Sequence, residues 1–361
     1  MLSSWILALL LAGASQGEGS PILSRGRIDD DPAHPRCHAS TLVESPPGSN
    51  RLVAAWFGGS GEGKDDVGIW VSVRPPGGSW TPSVQVADGQ RGDRRYPTWN
   101  PVLVHVDESA PLQLYYKVGP TPSSWWGERI ESMDGGLRWS ASERIPSPLL
   151  GPVRAKPVQL PSGRLVAGSS TEDDGWKMHF ELSDDGGVTW RRARDVDHRR
   201  TNAAPFGAIQ PTVLRHSDGR LQSLSRSQQN RIVESWSTDD GESWSPVRAT
   251  TLPNPSAGVD ALTLADGRHL LIYNHSERSR TARSKLNLAV TENGSDWQAV
   301  AVLEDQPGEY SYPAMVQTTD GMVHITYTYR RQRIQHVVVD PKELRAKPIV
   351  DGVWPELSGR R

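Results

Sequence analysis

Arginine, tyrosine, histidine and acidic side chains recur at the ends of short apolar runs along this 361-residue chain. The guanidinium forks of Arg226 and Arg283 suit bidentate pairing with a carboxylate. Tyr312 with His38 is a pair that can run a β-elimination on a uronic-acid polymer while arginine neutralises the carboxylate. Trp125-Trp126, in a loop rich in Pro, Ser and Gly, reads as a sugar-stacking wall, or as one ring packed beneath the loop and one above it. Each candidate also has a plainer reading. Arg226 can close a salt bridge between repeats, Tyr312 can be a packing aromatic, Asp65 a solvated loop charge and His38 a hydrogen-bonded structural histidine. No His/Cys/Asp cluster has ligand spacing for zinc, and nothing calls for a cofactor.

Those residues are positioned by a repeat. Ser132-Met133-Asp134-Gly135-Gly136-Leu137-Arg138-Trp139 has the form S-x-D-x-G-x-x-W, as do the stretches starting at Ser183 and Ser237. A worn copy starts at Thr291, and Gly77-Gly78-Ser79-Trp80 keeps only the end. The intervals are 51, 54 and 54 residues, a period that signals a propeller or solenoid. Ser and Asp can bond backbone groups across a tight turn, Gly supplies φ > 0, and Trp packs beneath the strand that follows. Six units each open on an apolar strand, near His38, Pro97, Lys156, Gln210, Val259 and Tyr312. The fold expected is all-β, a six-bladed β-propeller. Unit six lacks a fourth strand of its own, so residues 21–28 are expected to supply it and remove the open edge. In a propeller the inner strands line the channel. Their starts, with the ends of the second strands, select His38, Glu62, Asp65, Trp99, Asn100, Lys156, Glu172, Gln210, Arg226, Asp260, Arg283, Tyr312 and Arg330 for a shared mouth.

Composition agrees. Gly 34 and Pro 28 fit many short strands and turns, and the repeats explain several of the 14 Trp. A net charge of −2 points away from nucleic acid and anionic membrane surfaces. Gly58-Gly59-Ser60-Gly61-Glu62-Gly63 is followed by no helix that would make a phosphate cradle. Cys37 is the sole cysteine, so no internal disulfide forms, and a buried inert thiol is expected. Residues 5–12 are an apolar run too short to span a bilayer, and Ala12-Gly13-Ala14 matches a small-x-small cleavage site. The expectation is a signal peptide over 1–17, a propeller over 21–345 and a tail over 346–361. The mature chain would be a secreted or periplasmic monomer with a carbohydrate partner and no membrane span.

The S-x-D-x-G-x-x-W copies resemble the Asp box, or BNR repeat, of the sialidase family. That resemblance implies an exo-acting glycosidase in which three arginines hold the substrate carboxylate. A tyrosine paired with a glutamate is the nucleophile, and an aspartate is the acid/base, an exception to the two-carboxylate scheme. Tyr312 matches the nucleophile position, with Tyr310 as competitor. Arg226 and Arg283 match the second and third arginines, with Arg280 competing for the latter. Asp65 matches the acid/base, with Glu62 and Asp66 as competitors. Lys156, Asp260 and Trp126 complete the expected substrate-binding set.

Two positions depart from the pattern. His38 stands where the first arginine is expected, with Arg36 two residues earlier. Gln210 stands where the glutamate partner is expected, and an amide cannot take the tyrosine proton at neutral pH. Glu309 or Asp260 could substitute. Hydrolysis of a terminal acidic sugar, a lyase or neutral-sugar glycosidase on the same fold, and a non-enzymatic carbohydrate-binding propeller therefore all stay open.

Overall fold

Short apolar runs punctuated by Asp-Gly and Gly-Gly turns pair with their chain neighbours as antiparallel strands. The structure is a computed structural model describing residues 20–357; the signal peptide expected over 1–17 lies outside them. Six sheets follow one another along the chain. Blade 1 comprises Arg36–Glu44, Leu52–Gly59, Gly68–Arg74 and Val84–Ala87. Blade 2 comprises Thr98–Val104, Leu112–Val118, Trp126–Ser132 and Glu143–Arg144. Blade 3 comprises Val158–Gln159, Leu165–Thr171, Lys177–Ser183 and Arg191–Arg192. Blade 4 comprises Ala208–Arg215, Leu221–Ser227, Arg231–Ser237 and Arg248–Pro253. Blade 5 comprises Asp260–Thr263, His269–Tyr273, Leu286–Thr291 and Gln298–Glu304. Blade 6 comprises Tyr310–Gln317, Val323–Tyr329 and Arg333–Val339, and its outer strand is the N-terminal Ile22–Arg27, paired antiparallel with Arg333–Val339. Lys347–Pro348, from the segment expected as a tail, adds a fifth strand to blade 5. Among the described residues no helix is long and apolar enough to cross a membrane.

The core lies between blades. Val53 and Phe57 of blade 1 pack with Leu114 and Val118 of blade 2. Val102 and Tyr115 meet Leu165 and Ala167 across the second interface. Phe180 meets Val213 and Leu221 across the third, and Leu214 and Leu224 meet Leu271 and Tyr273 across the fourth. Ile272 and Leu288 meet Met315 and Tyr327 across the fifth. Ala314 and Ile334 of blade 6 meet Leu42 and Ala54 of blade 1, so the ring is closed.

The repeated turns join these interfaces. Ser237 Oγ bonds Asp239 Oδ1 and accepts from Gly241 N at 3.0 Å, and Asp239 Oδ1 accepts from Ser243 N at 2.9 Å. The turns at Ser132 and Ser183 repeat this pattern. A Cβ on Gly241 would sit 3.1 Å from Val166 of the preceding blade, so both φ +84 and close approach require glycine. Trp190 and Trp244, and Trp80 in the worn copy, wedge against the preceding blade. Trp244 stacks on Phe180 with ring centroids 3.6 Å apart, and Trp190 meets Tyr115 edge-on. Trp80, in the worn copy, reaches His336 of blade 6.

Prolines shape two strand boundaries. The outer strand of blade 4 does not start at Trp244 but runs over Arg248–Pro253, because Trp244 turns inward and Pro246 has no N–H for the ladder. The inner strand of blade 3 shrinks to Val158–Gln159. Pro152 and Pro157 remove ladder donors, and residues 151–157 run irregularly along the channel.

Candidate active site

Four inner strands carry the same defect at the same height. The register skips between His38 and Thr41, Trp99 and Val102, Ile209 and Thr212, and Ser311 and Ala314. Each skip holds a left-handed residue: Ala39 (φ 55°), Asn100 (39°), Gln210 (58°) and Tyr312 (53°). Non-glycine residues adopt this conformation at a cost of about 1–3 kcal/mol, and such strain gathers at functional sites. In three of the four the next residue is proline (Pro101, Pro211, Pro313), which cannot donate to the ladder. That repeated X-Pro was the available sequence signal for the bulge.

The bulges deliver side chains to the axis. Arg226, at the end of the second strand of blade 4, donates from Nη1 to Tyr312 Oη at 2.5 Å and to Gln210 Oε1 at 3.2 Å. Its guanidinium, with those of Arg283 and Arg154, lies 5.7, 5.7 and 5.3 Å from the Tyr312 ring centroid. The His38 ring is 4.1 Å from the same centroid, and His38 Nδ1 is 2.8 Å from Thr328 Oγ1. Burial, then the field of Arg331, Arg283, Arg154 and Arg226, holds the imidazole well below its ordinary pKa, so His38 is neutral. Tyr312, Arg226, Arg283, His38 and Gln210 thus meet at one place.

A second network lies beside the first. Glu309 Oε1 accepts from Arg283 Nη1 at 3.0 Å, from Arg331 Nε at 2.9 Å and from Ser311 Oγ at 3.1 Å. Burial pushes the Glu309 carboxyl up, but Arg331 and Arg283 outweigh it and hold the group low. Arg331 Nη1 also pairs with Glu62. On the far wall, Asp260 accepts from Thr212 Oγ1 at 3.2 Å and from Met315 N at 2.8 Å, with Lys156 Nζ 3.9 Å away. Arg154 donates to Pro313 O, the carbonyl that the bulge leaves outside the ladder. Arg154 and Asp260 therefore hold the strand just after the strained Tyr312, at Pro313 O and Met315 N. A Cβ at Gly258 would fall 2.9 Å from Arg154 Nε and 3.4 Å from Tyr312 Cγ, so only glycine admits both.

Arg154 and Arg331 were missed in the sequence, since neither begins an inner strand nor ends a second one. Conversely, Asp65 is exposed and, among the described residues, has no hydrogen bond or ion pair. Glu62 is the acid of that loop tied to the site. Arg330 turns to Tyr310 Oη and Tyr329. The paired tryptophans do not form a wall: Trp125 is buried against Trp99, and Trp126 donates to Glu128 at 2.7 Å with Arg144 over its ring. Glu172, pushed up by burial, lies within the field of Arg226. Cys37 is buried and its thiol is pushed up to about 12, in line with an inert role. A cavity of about 250 Å³ opens beside His38 between Arg36, Phe57, Glu62 and Arg331.

A family model described as a BNR repeat-like domain matches residues 50–325. No curated protein matches the sequence. Among solved structures, a Dyadobacter fermentans protein of unknown function superposes with a TM-score of 0.70 at 15% identity, over 90% of this chain and 99% of that one. The NanB sialidase of Streptococcus pneumoniae superposes with a TM-score of 0.68 at 14% identity, over 90% of this chain and 71% of that one. A Trypanosoma rangeli sialidase mutant displaying trans-sialidase activity gives 0.69 at 16%, over 90% and 60%. The propeller is thus sialidase-like in fold.

Proposed function

The chain belongs to the BNR repeat-like domain family, and from that premise we propose that it is a secreted or periplasmic exo-glycosidase of the sialidase type, acting on a terminal acidic sugar. The observation that carries this reading is the Arg226 guanidinium on Tyr312 Oη at 2.5 Å, with Arg283 facing the same ring. A cationic shell around a tyrosine suits a substrate whose reacting carbon already bears a carboxylate. Arg226 and Arg283 hold that carboxylate, with Arg331 beside them in place of the arginine that His38 displaces. Tyr312 Oη bonds to the anomeric carbon as the glycosidic C–O bond breaks. The leaving oxygen takes a proton from Asp65, with Glu62 as the alternative donor, and Glu309 receives the phenolic proton. Water then cleaves the Tyr312–sugar bond. Lys156, Gln210 and Asp260 are the remaining proposed contacts to the sugar.

The test is release from a fluorogenic sialoside. Tyr312→Phe is expected to lower turnover at least about 1000-fold with the melting temperature kept; retained activity rejects the Tyr312 assignment. Separate Asp65→Asn and Glu62→Gln variants identify the acid.

Two observations favour other readings. The contact between neutral His38 and Tyr312 suits a β-elimination on uronic-acid chains, in which an unsaturated product absorbs in the ultraviolet. Gln210, which accepts no proton, suits a binding propeller, which would bind glycans saturably and turn none over. A neutral-sugar glycosidase would lose little on Arg226→Ala.

A further inference from the structure

The cavity of about 250 Å³ beside His38 is not used by the chemistry proposed above. It is lined by the same imidazole that lies 4.1 Å from the Tyr312 ring centroid, and by Glu62 and Arg331, so it adjoins the mouth. Its polar side chains are largely spent on other partners. Arg331 pairs with Glu62 and donates to Glu309 at 2.9 Å. Ser60 Oγ donates to Asp66 Oδ1 at 2.8 Å. Arg36 is exposed and keeps its water. Phe57 and Val67, both buried, supply an apolar wall.

His38 is the exception. Among the described residues its Nε2 is buried and has no hydrogen-bond partner. The Thr328 hydroxyl accepts from Ala39 N at 3.2 Å. By giving its own proton to His38 Nδ1, 2.8 Å away, it leaves the neutral ring's hydrogen on Nε2. His38 is 1% exposed, so bulk water does not reach this N–H. The cavity therefore offers one free side-chain donor beside an apolar wall. An ordered water needs about two to four polar partners. A short acyl group needs one donor for its carbonyl oxygen and an apolar surface for its methyl.

The place of the cavity selects where that acyl group sits. Arg331 and Glu62 belong to the shell proposed around the anomeric carbon. On a sialic acid the amide is carried by the ring carbon opposite the anomeric one, while the substituted carbons nearer to it carry a hydroxyl or the hydroxylated side chain. An acyl group that reaches this cavity is therefore an ester on a sugar hydroxyl. We propose that the cavity beside His38 is a subsite for an O-acyl group on the acidic sugar, with His38 Nε2 donating to the acyl carbonyl oxygen and Phe57 and Val67 packing on its methyl. His38, which stands where an arginine was expected, sets a preference for acylated substrates. This rests on the acidic-sugar reading above and adds a substrate class to it.

The experiment compares fluorogenic sialosides carrying one acetyl ester, at each hydroxyl in turn, with the unsubstituted sialoside. kcat/KM is expected to favour one ester by about 10-fold or more. His38→Phe keeps the ring and removes the N–H, and should bring that ratio to about 1. A merely structural role for His38 would slow all the substrates alike and leave the ratio unchanged. Equal or lower kcat/KM for every ester, or a preference that survives in His38→Phe, overturns the proposal while the sialidase reading stands. If no sialoside is turned over, that reading falls, and NMR titration with the free acetylated and unsubstituted sugars decides. Tighter binding of an ester then upholds the subsite, and equal or absent binding overturns it. If His38→Phe does not fold, the comparison on the unaltered chain decides.

Discussion

The rim turns and the channel solve the same problem in opposite ways. At the rim, Ser237, Asp239 and Gly241 satisfy one another within eight residues, and Trp244 then packs on Phe180. Polar groups are paired locally and the payoff is packing. In the channel, strained residues from four blades converge, and the buried guanidinium groups of Arg154 and Arg226 lie in the fields of Asp260 and Glu172 without a direct ion pair among the described residues. The rim keeps unpaired atoms too, the indole nitrogens of Trp190 and Trp297, so what marks the centre as the working end is strained backbone and buried charge gathered at one place.

The largest effect that tests this contrast is at the rim. Trp244→Ala removes a buried wedge and should cost about 3–5 kcal/mol in urea unfolding; a cost under about 1 kcal/mol would mean that the wedges carry little of the inter-blade packing. Gln210→Glu sharpens the contrast from the other side. It places a carboxylate beside Arg226 and Tyr312, and because Glu309 already receives the phenolic proton, turnover of a sialoside should change by less than about 10-fold. A rise of about 100-fold would show that Glu309 does not serve.

Lys117 supplies a pH-dependent effect. It is fully buried beneath the channel segment, donates to Pro152 O at 2.9 Å, and burial pushes it down to about 7. The unfolded chain keeps this proton up to its ordinary value of 10.5. Between the two values the unfolded state binds more protons, so stability rises with pH across that window, by at most about 1.4 kcal/mol per unit, and the penalty is full below 7. Lys117→Met should flatten that rise in urea midpoints compared at pH 7 and pH 10. A parallel slope in the variant would assign the rise elsewhere. The smallest effect returns to the rim. Asp134→Ala and Asp239→Ala should each cost about 1–2 kcal/mol and add within about 0.5 kcal/mol when combined, because each turn is self-contained. Strong coupling between them would contradict that independence.

What the sequence determined by itself is what closes within a few residues. The Asp-box turns, their spacing and the Gly turns required six four-stranded units, and inner-strand position brought Tyr312, Arg226, Arg283, His38 and Gln210 onto one short list. The bonds that make the centre cross 86 residues from Arg226 to Tyr312, 159 from Arg154 to Pro313 and 290 from His38 to Thr328. No local pattern records such pairings. Only the packing of blade on blade could bring Arg154 and Arg331 to the channel and make Glu309 the shared anchor of Arg283 and Arg331. Local turn chemistry depends on backbone geometry that neighbouring residues dictate; which charges face each other across a channel depends on how six blades close.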